Sequence, residues 1–252
     1  MIPGFVVPVY NHGAALEGVI KNLISFNYPI IIVDDGNNEA NKAYINDVAN
    51  KYSLVTLVTR PKNGGKGQAM KDGVRKAKEM GLTHILQIDS DGQHDASRVG
   101  YFLEQAEKYP EAIICGYPEY DESAPKARVN GRRIANGWVH IVTLSNEIVD
   151  ALIGFRVYPV DSYIKVLDSP VYIDSRMGYD VDILVKMYWI GTPVISEPVK
   201  VSYPTDGISN FRNVRDNLRI SGTYARLCLG MFIRLPKLIV MKIKRGKAKK
   251  VA

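Results

Sequence analysis

The chain has 252 residues, 46% apolar and 23% charged, which fits a globular domain with a sizeable core and excludes a disordered or fibrous polypeptide. Its net charge of +7 is unevenly placed: no acid follows Asp216 but ten lysines and arginines do, so removing those ten leaves −3 for the first 216 residues. A mildly acidic body excludes a nucleic-acid-binding surface there, and the basicity belongs to a tail with its own anionic partner. The two cysteines, Cys115 and Cys228, stand far apart in apolar surroundings and read as buried free thiols of a reducing compartment. The first residues, MIPGFVVPVYNH, have no positively charged n-region, so no signal peptide is expected. No stretch reaches the roughly 18 uninterrupted apolar residues of a membrane span.

Residues 5–9, FVVPV, read as a first strand, and Leu16, Val19, Ile20, Leu23 and Ile24 then recur at helical spacing. IIIV at 30–33 is a second strand, followed by a polar helix over 38–52 and a third strand, LVTLV, at 54–58. Met70, Val74 and Ala77 give the next helix an inner face. A fourth strand is expected at 84–88 and a fifth at 112–116. Strand–helix alternation of this kind predicts an α/β fold with a mostly parallel sheet covered on both faces. Beyond it, 117–130 reads as a loop, and helices are expected around 131–148, 161–168 and 178–190. Residues 193–195 and 199–201 look like strand pieces split by Pro198.

In an open parallel sheet, ligands bind beyond the carboxyl ends of the strands. Each unusual polar cluster falls at such an end: Tyr10-Asn11-His12 after the first strand, Asp34-Asp35-Gly36 after the second, RPKNGGKG at 60–67 after the third, and Asp89-Ser90-Asp91 after the fourth. An Asp-Gly pair alone can be no more than a turn. The glycine-rich run NGGKGQA opens a helix and suits phosphate, although it lacks the ending of a P-loop and does not follow the first strand. Lys66 within it either brings a point charge to a phosphate or is a solvated helix-start lysine. Asp34 or Asp35 can accept hydrogen bonds from a nucleobase edge. The stretch QIDSDGQHD places Asp89, Asp91 and Gln93 where a hard divalent cation can be held by oxygen, with His94 a neighbour rather than a ligand.

PVYN, VDDG, NGGKGQAMKDG and IDSDGQHD, in that order, resemble the inverting family 2 glycosyltransferases of the GT-A fold. QIDSDGQHD is similar to the DXD region of their polyprenyl-phosphate branch, the dolichol-phosphate mannose synthase-like enzymes. Gly154-Phe155-Arg156 resembles that family's GFR segment, and GYDVDIL at 178–184 takes the place of its later acidic motif. YPTDGISNFRNVRDNLRIS resembles a bacterial subgroup associated with aryl-polyene lipid synthesis. The resemblance implies a GT-A catalytic domain over 1–210 and a C-terminal segment over 211–252. It implies that Pro8, Tyr10, Asn11, Asp34 and Asp35 surround the base and ribose of a UDP- or GDP-sugar, with Lys66, Asp89 and Ser90 completing the nucleotide site. Asp91, Asp89 and Gln93 are then the ligands of Mg²⁺ or Mn²⁺. Asp180 or Asp182 is the candidate base for a hydroxyl acceptor, Asp180 first; a phosphate acceptor needs none. Arg128, Arg132, Arg133 and Arg156 are candidates for an anionic, lipid-linked acceptor. His12 departs from the family pattern, standing where a Glu is frequent.

The tail carries apolar runs at 227–233 and 238–241, interrupted by Arg234, Pro236 and Lys237, and then KIKRGKAKK. This predicts short helices lying in an anionic membrane interface, hence a cytoplasmic enzyme peripheral at the inner membrane face. The other classes compatible with these motifs are a sugar-phosphate nucleotidyltransferase, whose glycine-rich signature normally follows the first strand, and an inactive nucleotide-sugar-binding protein.

Overall fold

The computed structural model of the chain describes residues 1–92, 95–120, 126–200 and 213–251. In chain order the elements are β1 (Pro3–Val9), α1 (Gly13–Ile24), β2 (Ile30–Asp34), α2 (Glu39–Lys51), β3 (Val55–Thr59), α3 (Lys66–Glu79), β4 (His84–Gln87) and α4 (Val99–Lys108). There follow β5 (Ile113–Glu119), α5 (Lys126–Thr143), β6 (Arg156–Pro159), α6 (Val160–Leu167), α7 (Tyr179–Ile190), β7 (Val194–Lys200) and α8 (Asn213–Val251).

Among the described residues the strands form one sheet of seven, in the order β3-β2-β1-β4-β6-β5-β7. The chain walks outward from β1 to β3 and then returns to the other side of β1 as β4. That reversal opens a crevice between the carboxyl ends of β1 and β4, the place where such sheets bind ligands. β1 pairs parallel with both neighbours, Phe5 with Ile30 and Leu86. Successive side chains of a strand point to opposite faces, and β1 shows it. Phe5, Val7 and Val9 join a core with Leu16 and Ile20 of α1 and Phe102 of α4. Val6 joins the other core, with Met70 and Val74 of α3 and the buried face of α7. Two-sided burial explains why the strands read as unbroken apolar runs.

The expected α/β class, the first five strands and the helices at α2, α6 and α7 are present within a few residues. Four features differ. The strand β6, read from the sequence only as part of a GFR segment, runs antiparallel between β4 and β5; four residues that include an arginine carry too little pattern to announce a strand. α5 starts at Lys126, inside the stretch expected to be a loop. The pieces expected on either side of Pro198 are one strand, β7. β7 lies at the sheet edge. Because Ile113 N–H donates to Pro193 O, the alternation puts the nitrogen of Pro198 on the open side, where no ladder bond is missed. The tail is also continuous: α8 runs 39 residues through Pro236 rather than breaking there. The carbonyl freed by Pro236 belongs to Phe232, an exposed position where water can satisfy it. Among the described residues no helix is long and apolar enough to cross a membrane.

Candidate active site

The crevice is built from three strand ends. At the ends of β1 and β2, a side chain that the sequence did not announce, Asn37, sews the two together. Its amide donates to Val9 O at 2.8 Å and to Asp34 Oδ1 at 2.6 Å, and its oxygen accepts from Asn11 N–H at 2.8 Å. Asp34 is 2% exposed and also accepts the Asn37 backbone N–H at 2.9 Å. Asn11 holds a positive φ of 63°, a conformation that asparagine tolerates better than most residues. Pro8 is buried in β1, just past the residues paired with β4, so its missing N–H leaves no gap in the ladder. Tyr10 is exposed, and Ser90 is buried.

Asp35 was expected at the nucleobase. The structure gives its carboxylate a different task. It is paired with Arg60, and it accepts from Asn63 Nδ2 at 2.9 Å, from Gly64 N–H at 2.9 Å and from Gly65 N–H at 2.8 Å. With both oxygens engaged and the side chain 3% exposed, Asp35 pins the glycine-rich loop instead of facing a ligand. Gly65, at φ 91°, caps α3, and a Cβ there would lie 2.5 Å from Ser175 O. Only glycine allows the loop to press against 175–176 and aim the next residue, Lys66, across the crevice.

Lys66 Nζ stands 2.8 and 3.1 Å from the two Asp89 oxygens and 2.9 Å from Asp180 Oδ2. Burial works against its charge, but Asp180 and Asp89 outweigh burial and raise its pKa, so Lys66 is an ammonium at every physiological pH. Asp180 sits in the first turn of α7, where the helix dipole favours an acid. Its second oxygen accepts from Gln87 Nε2 at 3.0 Å. Gln87 was not foreseen as a site residue; it is the last residue of β4, wholly buried, directly behind the acidic motif. Gly154 completes the corner, since a Cβ there would fall 2.5 Å from both Asp89 Oδ2 and Lys66 Nζ.

Three expected site residues have other partners. Asp182, a candidate base, is 1% exposed; it accepts Asp174 N–H at 2.7 Å and pairs with Lys186 at 2.5 Å. Burial depresses the Lys186 pKa, which marks this pair as internal scaffolding. Arg156, a candidate acceptor ligand, is 0% exposed in the interior strand β6. It donates to Tyr158 OH at 3.0 Å and to the Asp180 carbonyl at 2.7 Å, so it supports Asp180 from behind rather than meeting an acceptor. Burial pushes the neighbouring Tyr158 hydroxyl up to about 12 and the Cys115 thiol up to about 11, so both stay neutral around it. Arg132 pairs with the buried Asp150 at 3.1 Å. The side chain of Arg128 and the residues Gln93 and His94 lie outside the described residues.

Asp89 and Asp91 give two carboxylates at one strand end, the donor chemistry a hard cation takes. Among the described residues no three acids, histidines or cysteines gather closely enough to hold a metal alone. A cation nonetheless already rests on Asp89, the Lys66 ammonium, in a corner that a Cβ at Gly154 would fill. These residues fit a divalent ion completed by oxygens from a ligand.

The sequence model described as glycosyl transferase family 2 matches residues 5–167. A dolichyl-phosphate beta-glucosyltransferase of Trichomonas vaginalis is 26% identical over 72% of this chain and 60% of its own length. One from Dictyostelium discoideum is 25% identical over 75% of this chain and 63% of its own length. The chain thus spans less than two thirds of either relative. Among solved structures, the glucosyl-3-phosphoglycerate synthase of Mycobacterium tuberculosis, in complex with Mn²⁺, UDP-glucose and phosphoglyceric acid, superposes with a TM-score of 0.66. It covers 90% of this chain and 79% of that one at 13% identity, a likeness of fold. The mostly parallel sheet with helices on both faces is the GT-A fold.

Proposed function

The chain belongs to glycosyl transferase family 2, and from that premise we propose that it moves a sugar from a UDP- or GDP-sugar to a lipid-phosphate acceptor, with inversion at the anomeric carbon. The observation that carries this reading is the Lys66–Asp89–Asp180 constellation at the β1/β4 crevice. Lys66 offers a permanent positive charge to the donor diphosphate, and the Asp35-pinned loop fixes where that charge stands. The names of the similar enzymes from Trichomonas and Dictyostelium support a lipid phosphate as acceptor.

An acceptor phosphate oxygen attacks the anomeric carbon from the face opposite the nucleotide. The bond from that carbon to the β-phosphate oxygen breaks, and its electron pair leaves with the nucleoside diphosphate. A phosphate oxygen is already ionised at neutral pH, so the step needs no general base. That frees Asp180 to hold Lys66, as its hydrogen bonds indicate. Asp89 and Asp91, with Gln93, are the residues to hold Mg²⁺ or Mn²⁺, which when bound supplies Lewis-acid stabilisation of the charge on the departing diphosphate. Acceptors of this class sit at a bilayer, so the enzyme works as a peripheral protein at the cytoplasmic membrane face.

Calorimetric titration with UDP- and GDP-sugars in the presence of Mn²⁺ tests the donor site. One of them is expected to bind, and Asp91→Ala is expected to abolish the metal-dependent part. Unchanged affinity in that variant would remove the metal role.

A further inference from the structure

α8 is apolar on two opposite faces. One face carries Tyr224, Leu227, Met231 and Leu238, buried against α5 and α7 in the main core. The other carries Leu218, Leu229, Phe232, Ile233, Val240 and Ile243, between 49% and 80% exposed. At about 100° per residue these six fall in one sector about 100° wide, centred opposite the buried face. Soluble surfaces rarely leave so long an apolar stripe open, and one of this extent marks an interaction site. Arg219, Lys237 and Lys244 recur at whole turns along one border of the stripe, and no acid follows Asp216 anywhere in the chain.

We propose that this outward face of α8 is a docking surface for an anionic lipid bilayer, along which the helix lies flat. The charges select the occupant. A second copy of the chain would bring the same cations of its own α8 against these, whereas an anionic leaflet complements them. The geometry selects the orientation. The stripe runs about 37 Å along the surface, and the helix is not apolar enough to span. It therefore inserts side chains only to the depth of the headgroup boundary. α8 is also fastened to the catalytic body. Arg226 Nη2 and Thr223 Oγ1 each donate to Asp174 Oδ2 at 3.1 Å. The adjoining Ser175 carbonyl is the atom against which Gly65 of the donor loop is pressed. Docking α8 therefore fixes how the crevice faces the lipid surface. The purpose of the contact rests on the lipid-phosphate reading; the contact itself does not.

The test is co-sedimentation of the full chain, without donor or acceptor, with vesicles of phosphatidylcholine alone or mixed with phosphatidylglycerol. The chain is expected to pellet with the anionic vesicles. The triple variant Leu229→Gln, Phe232→Gln, Ile233→Gln is expected to lose at least tenfold in vesicle affinity with an unchanged melting temperature, because these side chains lie outside the core. Lys237→Glu with Lys244→Glu is expected to lose binding on anionic vesicles, and added salt to reproduce that loss. Equal recovery of wild type and triple variant overturns the proposal. So does a wild-type dimer in light scattering that the triple variant dissolves while no vesicle binding is seen. Transfer to a short-chain, water-soluble polyprenyl phosphate is read separately. Transfer without vesicle binding refutes only the docking surface; vesicle binding without transfer refutes only the acceptor assignment.

Discussion

Lys66 Nζ bridges across the crevice to Asp180, 2.9 Å away, although 114 residues separate them in sequence. The contact ties the first turn of α3 to the first turn of α7 at the edge where β4 ends. It also couples the two halves of the site, since Asp89 shares the same ammonium.

Removing Lys66 leaves two carboxylates, Asp89 and Asp180, without the cation they share. Lys66→Met is expected to cut kcat/KM by at least a thousandfold, about 4 kcal/mol of transition-state stabilisation. Asp180→Asn keeps the hydrogen bond from Gln87 and leaves Lys66 on Asp89, so its loss is expected to be smaller, about 10- to 100-fold. Steady-state kinetics with a saturating acceptor separates the two. A raised lysine pKa contributes stability that is complete below the unfolded value of about 10.4 and lost only as pH rises through the higher folded value. Donor affinity is therefore expected to show no Lys66-linked decline between about pH 7 and 9, as titration calorimetry across that range can check.

Asp182 and Asp180 are two residues apart on one helix, yet the structure gives them different work. Asp182→Asn strands Lys186 in a site where its charge is already disfavoured by burial. The expected cost is about 3–5 kcal/mol of folding stability, the usual range for breaking a buried pair from one side. Chemical denaturation measures it, and the turnover of the molecules that remain folded is expected to be unchanged. A stable but inactive Asp182→Asn enzyme would return the base role to this residue.

Gly154→Ala probes the crowded corner directly. The added methyl meets the ends of the Lys66 and Asp89 side chains rather than backbone. It is expected to displace the pair, weakening donor and metal binding about tenfold, roughly 1.4 kcal/mol, with little change in melting temperature. Calorimetry and a thermal melt on the same sample decide it.

Asp35→Ala is expected to raise the donor KM at least tenfold by releasing Gly64 and Gly65 from the carboxylate that positions them. Arg60, left without Asp35, keeps its bond to Asp72 at 2.7 Å, so the fold is expected to survive. An unchanged KM with a large loss of nucleobase selectivity would instead place Asp35 at the base.

Much of this site was legible as sequence because its residues follow strand ends. Asp34 and Asp89 stand where an apolar run stops, and Lys66 opens the helix after the glycine-rich loop that follows the third run, so the periodicity that locates the strands and helices locates them too. What pairing decides was not legible. Arg156 looks like a surface cation until β6 is seen threading antiparallel between β4 and β5, which buries it beneath Asp180. Asn37 and Gln87 are ordinary amides whose roles come from the neighbours that the sheet order brings to them. In the same way Asp35 is indistinguishable from Asp34 by local pattern, and only the approach of the 60–65 loop separates their tasks. The tail misled for a different reason. Pro236 and two cations read as a break, but an exposed carbonyl and a packed opposite face carry the helix through.

Transfer of the sugar is measured by incubating the full chain with Mn²⁺, a nucleotide-sugar donor and a polyprenyl phosphate, and following both products by phosphorus NMR and mass spectrometry. One nucleoside diphosphate is expected to be released per sugar joined to the lipid phosphate, with the anomeric configuration inverted, and neither product from Lys66→Met. Release of nucleoside diphosphate with no sugar joined to the lipid phosphate, or a product of retained configuration, would contradict it.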